Sequence, residues 1–101
     1  MSSFQIKEGV KLPPILKLFV VFCDVCAVSG VPARVTSGTD GKHMVGSKHY
    51  EGLALDFGSR NMSPTIQQSI AKQVRERLGP DYDFIVEGDH FHGEYDPKGR
   101  L

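Results

Sequence analysis

The 101-residue chain sets twelve lysines and arginines against twelve aspartates and glutamates. It therefore offers no net field to a phosphate backbone or an anionic membrane surface, and nucleic acid is not an expected partner. With 40% hydrophobic and 24% charged residues it has the make-up of one folded domain around a single modest core, which excludes wholesale disorder and a two-domain organisation.

The first predicted element is a helix in "ILKLFVVFCDVCAV", residues 15 to 28. The stretch is shorter than the roughly 20 residues that cross a bilayer, and Lys17 and Asp24 interrupt it, so a core helix is expected and membrane insertion is not. Pro13 and Pro14 suit its first turn, and Ser29-Gly30-Val31-Pro32 suit its end. Glu8 and the two prolines ahead of the apolar run, and Asp24 within it, do not make a secretory signal. Synthesis in the cytoplasm without a signal peptide is the expectation. Cys23 and Cys26 form a C-x-x-C with no second pair and no helix N-terminus beside it, so two buried structural thiols are expected.

Residues 33 to 37, "ARVTS", have strand character, and the Gly-rich run from Gly38 to Gly52 reads as a loop. "LALDF", residues 53 to 57, reads as a second strand. A second helix is expected over "SPTIQQSIAKQVRERLG", with Ser63 as N-cap, Pro64 in the first turn and Gly79 past the end. Its Ile66, Ile70, Val74 and Leu78 fall at helical spacing and make one apolar stripe. "YDFIVE" and "HFHGEY" then read as two strands joined by the tight-turn pair Gly88-Asp89. The expected fold class is α+β, a small antiparallel sheet with two helices, in one domain over residues 1 to 101.

Chemistry concentrates in two places. Side chains alternate along a strand, so His90, His92 and Glu94 share one face of the last strand, opposite Phe91 and Tyr95. The two imidazoles stand about 7 Å apart at a rise of about 3.3 Å per residue. Upstream, His49 and Asp56 bracket a small and apolar stretch. Imidazole and carboxylate are the usual ligands of a catalytic zinc, which takes three protein groups and keeps one open position. His49, Asp56 and one histidine of the H-x-H would make that set, and all four would make a closed structural site. Taken alone, Glu94 reads as a solvated strand carboxylate.

Ser47, His49, Gly52, Ala54 and Asp56 spell S-x-H-x-x-G-x-A-x-D, and H-x-H follows at residues 90 to 92. Together these resemble the zinc D-alanyl-D-alanine peptidase family, part of the lysostaphin, D-alanyl-D-alanine metallopeptidase and hedgehog superfamily. "TSG", residues 36 to 38, resembles that family's strand end before the first motif. The resemblance spans about residues 30 to 95. It implies His49, Asp56 and His92 as ligands of Zn2+, Asp89 as general base three residues before the last ligand, and His90 as a stabiliser of the oxyanion. It also implies that Ser47 contacts the substrate carboxylate. A second registration takes Glu87 as base and His90 as ligand. Family members carry an arginine soon after "SG", whereas this chain reads Thr39-Asp40-Gly41-Lys42, which leaves Lys42 or His43 as the substitute, the lysine without the planar fork of a guanidinium.

The resemblance implies a zinc metallopeptidase of phage or prophage type, a carboxypeptidase or endopeptidase cutting an amide bond in peptidoglycan stem peptides. It would be a monomer acting at the cell wall or periplasm once a holin-like partner gives it access. The alternative, favoured by the missing arginine, is a non-catalytic binding or virion structural domain that keeps the fold and the zinc.

Overall fold

The structure is a computed structural model and describes residues 5 to 40, 47 and 51 to 97. In chain order it contains α1 (Pro14–Ser29), β1 (Val35–Ser37), β2 (Ala54–Gly58), α2 (Pro64–Leu78), β3 (Tyr82–Glu87) and β4 (His90–Tyr95). The four strands form one sheet in the order β1-β2-β4-β3, with every neighbouring pair antiparallel. The expected α+β class is what the chain forms. β1 is shorter than the residue 33 to 37 expectation, and its pairing with β2 shifts register between Val35 and Ser37.

Helix boundaries follow local chemistry. Proline stands in the first turn of α1, and Gly30 ends the helix in the left-handed conformation at φ 75°, where its N–H donates to the carbonyl of Ala27. In α2 the Ser63 hydroxyl accepts the Ile66 N–H at 3.2 Å, which satisfies one of the donors a helix start leaves orphaned. None of the described helices is long and apolar enough to cross a membrane.

Both helices cover the same face of the sheet. Phe57 of β2, Phe84 of β3 and Phe91 of β4 point into that layer and meet Phe22 of α1. Phe22 stacks on Phe57 with ring centroids 4.0 Å apart, and Phe84 stacks on Phe91 at 5.4 Å. Leu18, Val25 and Cys26 of α1 and Ile70, Ala71 and Val74 of α2 close the core around them. Each large apolar side chain removed from water this way is worth about 1.5–3 kcal/mol before entropy is charged against it. Gly93 lets α1 come down on β4, since a β-carbon there would lie 2.9 Å from a methyl of Leu18 and 3.0 Å from the Phe84 ring.

Two polar contacts fix the helices further. Arg77 pairs with Asp24 at 2.7 Å and ties α2 to α1, and Arg75 donates through Nε to the carbonyl of Phe84 at 2.7 Å. The C-x-x-C departs in part from expectation. Cys26 is buried with its thiol pushed up to about 12 by burial, but Cys23 is only half-buried; both are free. α1 rotates its residues by about 100° each, so positions three apart do not share one depth in the core.

With the helices on one face, the other face of the sheet carries the polar residues. Asp83 on β3, Asp56 on β2, and His90, His92 and Glu94 on β4 alternate with the core residues of the same strands.

Candidate functional site

The β2–β4 register builds the centre of this polar face. Asp56 lies directly opposite His92, and Gly58 opposite His90. On its other side Asp56 is the register partner of Ser37, the end of the "TSG" strand. Asp56 Oδ1 stands 2.9 Å from His92 Nδ1, and Glu94 Oε1 stands 2.8 Å from His92 Nε2. All three side chains are largely buried, with 16%, 18% and 22% exposure for Asp56, His92 and Glu94.

An imidazole clamped between two carboxylates has a specific requirement. A carboxylate only accepts, and a neutral imidazole donates from one nitrogen. Either His92 carries a proton on both nitrogens, or one nitrogen keeps its lone pair and shares a cation with the carboxylate it faces. The direction of the pKa agrees. Burial, the largest single influence, opposes the charge, yet the hydrogen bonds to Glu94 and Asp56 outweigh it and lift His92 above the ordinary histidine value. With Nε2–H donating to Glu94, Nδ1 is left as the nitrogen facing Asp56. A carboxylate behind a ligating imidazole is the usual arrangement for orienting it and raising its basicity.

Asp89 sits in the two-residue turn between β3 and β4, where Gly88 takes a left-handed φ of 62°. Its carboxylate is almost wholly exposed and lies 3.1 Å from His90 Nδ1. The hydrogen bond with His90, then one with its own backbone, hold this carboxyl below its usual range. His90 is about one-third exposed and also stands 3.6 Å from Glu87 Oε1 across the turn. Of the two H-x-H histidines, His92 is therefore the one beside Asp56. His90 is engaged by the turn carboxylates Glu87 and Asp89.

Among the other residues singled out in the sequence, Ser47 is half-buried. His49 and Lys42 lie outside the described residues. Glu94 corrects the reading of it as a solvated carboxylate, because it is mostly buried and bonded to His92. Its role had a sequence signal. With Gly88-Asp89 as a two-residue turn, Glu87 must face His90, and the same count sets Asp83 opposite Glu94, as observed. Asp83, Glu94 and Asp96 hold carboxylate oxygens within 4.8 Å of one another, an acidic group that adjoins the His92 clamp through Glu94. Arginines near the site were also missed. Arg34 and Arg60 line a cleft with Asp56, Asp89 and His90, and nothing in their local sequence marks them.

Asp56 and His92 together offer an oxygen and a nitrogen donor of the kinds a zinc-type ion takes, with Glu94 already placed to orient the imidazole. No protein-family model matches the chain, and no curated protein is significantly similar to it.

Proposed function

We propose that this chain is a zinc-dependent peptidase that hydrolyses an amide bond in peptidoglycan stem peptides, as a carboxypeptidase or endopeptidase serving phage-type lysis or remodelling of the cell wall. The observation that carries the reading is the clamped histidine: His92 faces Asp56 through one nitrogen and Glu94 through the other, with Asp89 three residues earlier in the chain. His49, Asp56 and His92 would hold the ion. When bound, zinc supplies a Lewis acid and makes nearby water more acidic. Glu94 keeps His92 in one tautomer and orientation. Asp89, released from His90, accepts a proton from the attacking water and passes it to the amine nitrogen as the C–N bond breaks, while His90, freed in the same movement, donates to the developing oxyanion. Ser47 and Lys42 contact the substrate.

The test is a digest of purified peptidoglycan and its soluble muropeptides by zinc-loaded protein, with and without chelator, followed by mass spectrometry. A chelator-sensitive product is expected, and its mass names the bond. No product from protein verified to hold zinc would overturn the peptidase reading.

A second reading, a non-catalytic zinc-containing binding or virion structural domain, is favoured by one specific observation. The Asp89 carboxylate faces solvent and is bonded to His90 in a way that lowers its pKa. A general base works best with a pKa near the operating pH. Under this reading Asp89 is a turn residue, and zinc would bind without turnover.

A further inference from the structure

A cleft of about 520 Å³ lies beside the Asp56–His92 pair, between β1, the end of β2 and the turn into α2. Its lining includes Arg34 and Thr36 from β1 and its approach, Ser59, Arg60 and Asn61 from the turn into α2, Asp89 from the β3–β4 turn and His90 from the start of β4. The turn is a built feature. Met62 N–H donates to the carbonyl of Ser59 at 3.2 Å, and Asn61 holds a left-handed φ of 67°, a conformation asparagine tolerates better than most residues. A β-carbon on Gly58 would crowd the Thr36 methyl at 3.3 Å and would make only ordinary contact, 3.6 Å, with the stem of Arg34.

Three features of the cleft point to an anion. No described carboxylate lies within salt-bridge distance of Arg34 or Arg60, although Arg60 is near enough to Asp89 to help lower that carboxyl. The two carboxylates of the cleft, by contrast, are each bonded to a histidine, Asp56 to His92 and Asp89 to His90. Ser59 is 3% exposed, and its hydroxyl has no hydrogen-bond partner among the described residues. A buried hydroxyl without a partner is rare, because its hydration has been given up for nothing. A ligand oxygen seated in the cleft would supply the missing acceptor, and a guanidinium presents a planar fork that matches a carboxylate.

We propose that this cleft is a carboxylate-binding subsite, in which Arg34 and Arg60 hold a free carboxylate of the peptide substrate and the Ser59 hydroxyl turns to donate to it. Naming the ligand as part of a peptide substrate rests on the peptidase reading; the affinity for a carboxylate rests on the cleft alone. The subsite would do the work for which the loop after "SG" has no arginine. It places the carboxylate on the arginine side of the cleft and the adjoining amide toward Asp56, Asp89 and His90.

The test uses the full chain stripped of metal, so that binding is read without turnover. N-acetyl-D-alanyl-D-alanine and its C-terminal amide are titrated at millimolar concentrations, and the backbone amide resonances of Ser59, Arg60 and Asn61 are followed by NMR. The acid should bind about tenfold more tightly than the amide, a difference typical of a charge-assisted contact. Arg34→Gln and Arg60→Gln should each remove most of that preference. Ser59→Ala should weaken binding of the acid while leaving the melting temperature of the free protein unchanged or raised, which loss of a structural hydrogen bond would not do. Equal binding of acid and amide, or arginine variants that keep the preference, would overturn the subsite. Zinc-loaded protein separates the two ideas. Cleavage without acid preference keeps the peptidase and removes the subsite, and acid preference without cleavage does the reverse.

Discussion

Replacing Glu94 with glutamine probes the clamp on His92 with almost no change in shape. Glutamine Oε1 can still accept from His92 Nε2–H, so the 2.8 Å contact survives in geometry and loses only its charge. A charge-assisted hydrogen bond is roughly twice as strong as a neutral one, so the substitution should cost about 1 kcal/mol wherever His92 is an imidazolium. Glu94 has 22% exposure, so screening takes only part of this. The sign with pH follows from the direction of the shift. His92 is raised above the ordinary histidine value, so the metal-free protein has the clamp's full stabilisation below that ordinary value and loses it as pH rises through the higher folded value. In metal-free protein, Glu94→Gln should therefore lower the melting temperature by about 4–8 °C under mildly acidic conditions, with the difference shrinking at alkaline pH. NMR titration of the His92 ring should show its pKa moved down toward the ordinary range. Zinc affinity, measured by competition with a chelating dye, should fall by about 10–100-fold, as expected when the partner behind a ligating histidine is lost. An unmoved His92 titration, or a melting difference independent of pH, would refute the clamp. Unchanged zinc affinity with a shifted titration would refute only His92 as ligand.

Asp89→Asn should abolish turnover and leave bound zinc, measured by elemental analysis, at the parent level; a variant with parent activity would remove Asp89 as base. Gly93→Ala should destabilise the fold by about 1–2 kcal/mol, since overpacking costs about 1–3 kcal/mol and loss of a glycine from the unfolded chain returns about 0.4–1. The crowded atoms are the methyls of Leu18 and the ring of Phe84, and urea unfolding with no loss of stability would show that this contact relaxes freely. Cys26, with its thiol at about 12, would be ionised to only about one part in 10⁴ at pH 8. Alkylation of native protein should label the half-buried Cys23 first and reach Cys26 only on unfolding, and equally fast labelling of both would contradict the packed position of Cys26.

The parts of this fold that could be read from the sequence are those fixed by local chemistry. Ser63-Pro64 and Gly79 bound α2, and Gly88-Asp89 sets the β3–β4 register residue by residue, so the opposition of Asp83 and Glu94 is already implied by the turn. The pairing of β2 with β4 is different in kind. The two strands are separated by a helix and a further strand, and no turn dictates which residue of one meets which of the other. Burial decides it instead. Phe57 must face the helices beside Phe91, and because side chains alternate, that choice turns Asp56 and His92 to the opposite face as direct partners. A slip of one residue would bury Asp56 and expose Phe57. A slip of two would keep the faces but set His90 or Glu94 opposite Asp56, and would lift Gly93 away from the close approach of Leu18. The glycine that admits α1 and the aromatic layer beneath it therefore help select which histidine meets the aspartate. That selection explains why the H-x-H was legible as chemistry while the different surroundings of its two members were not.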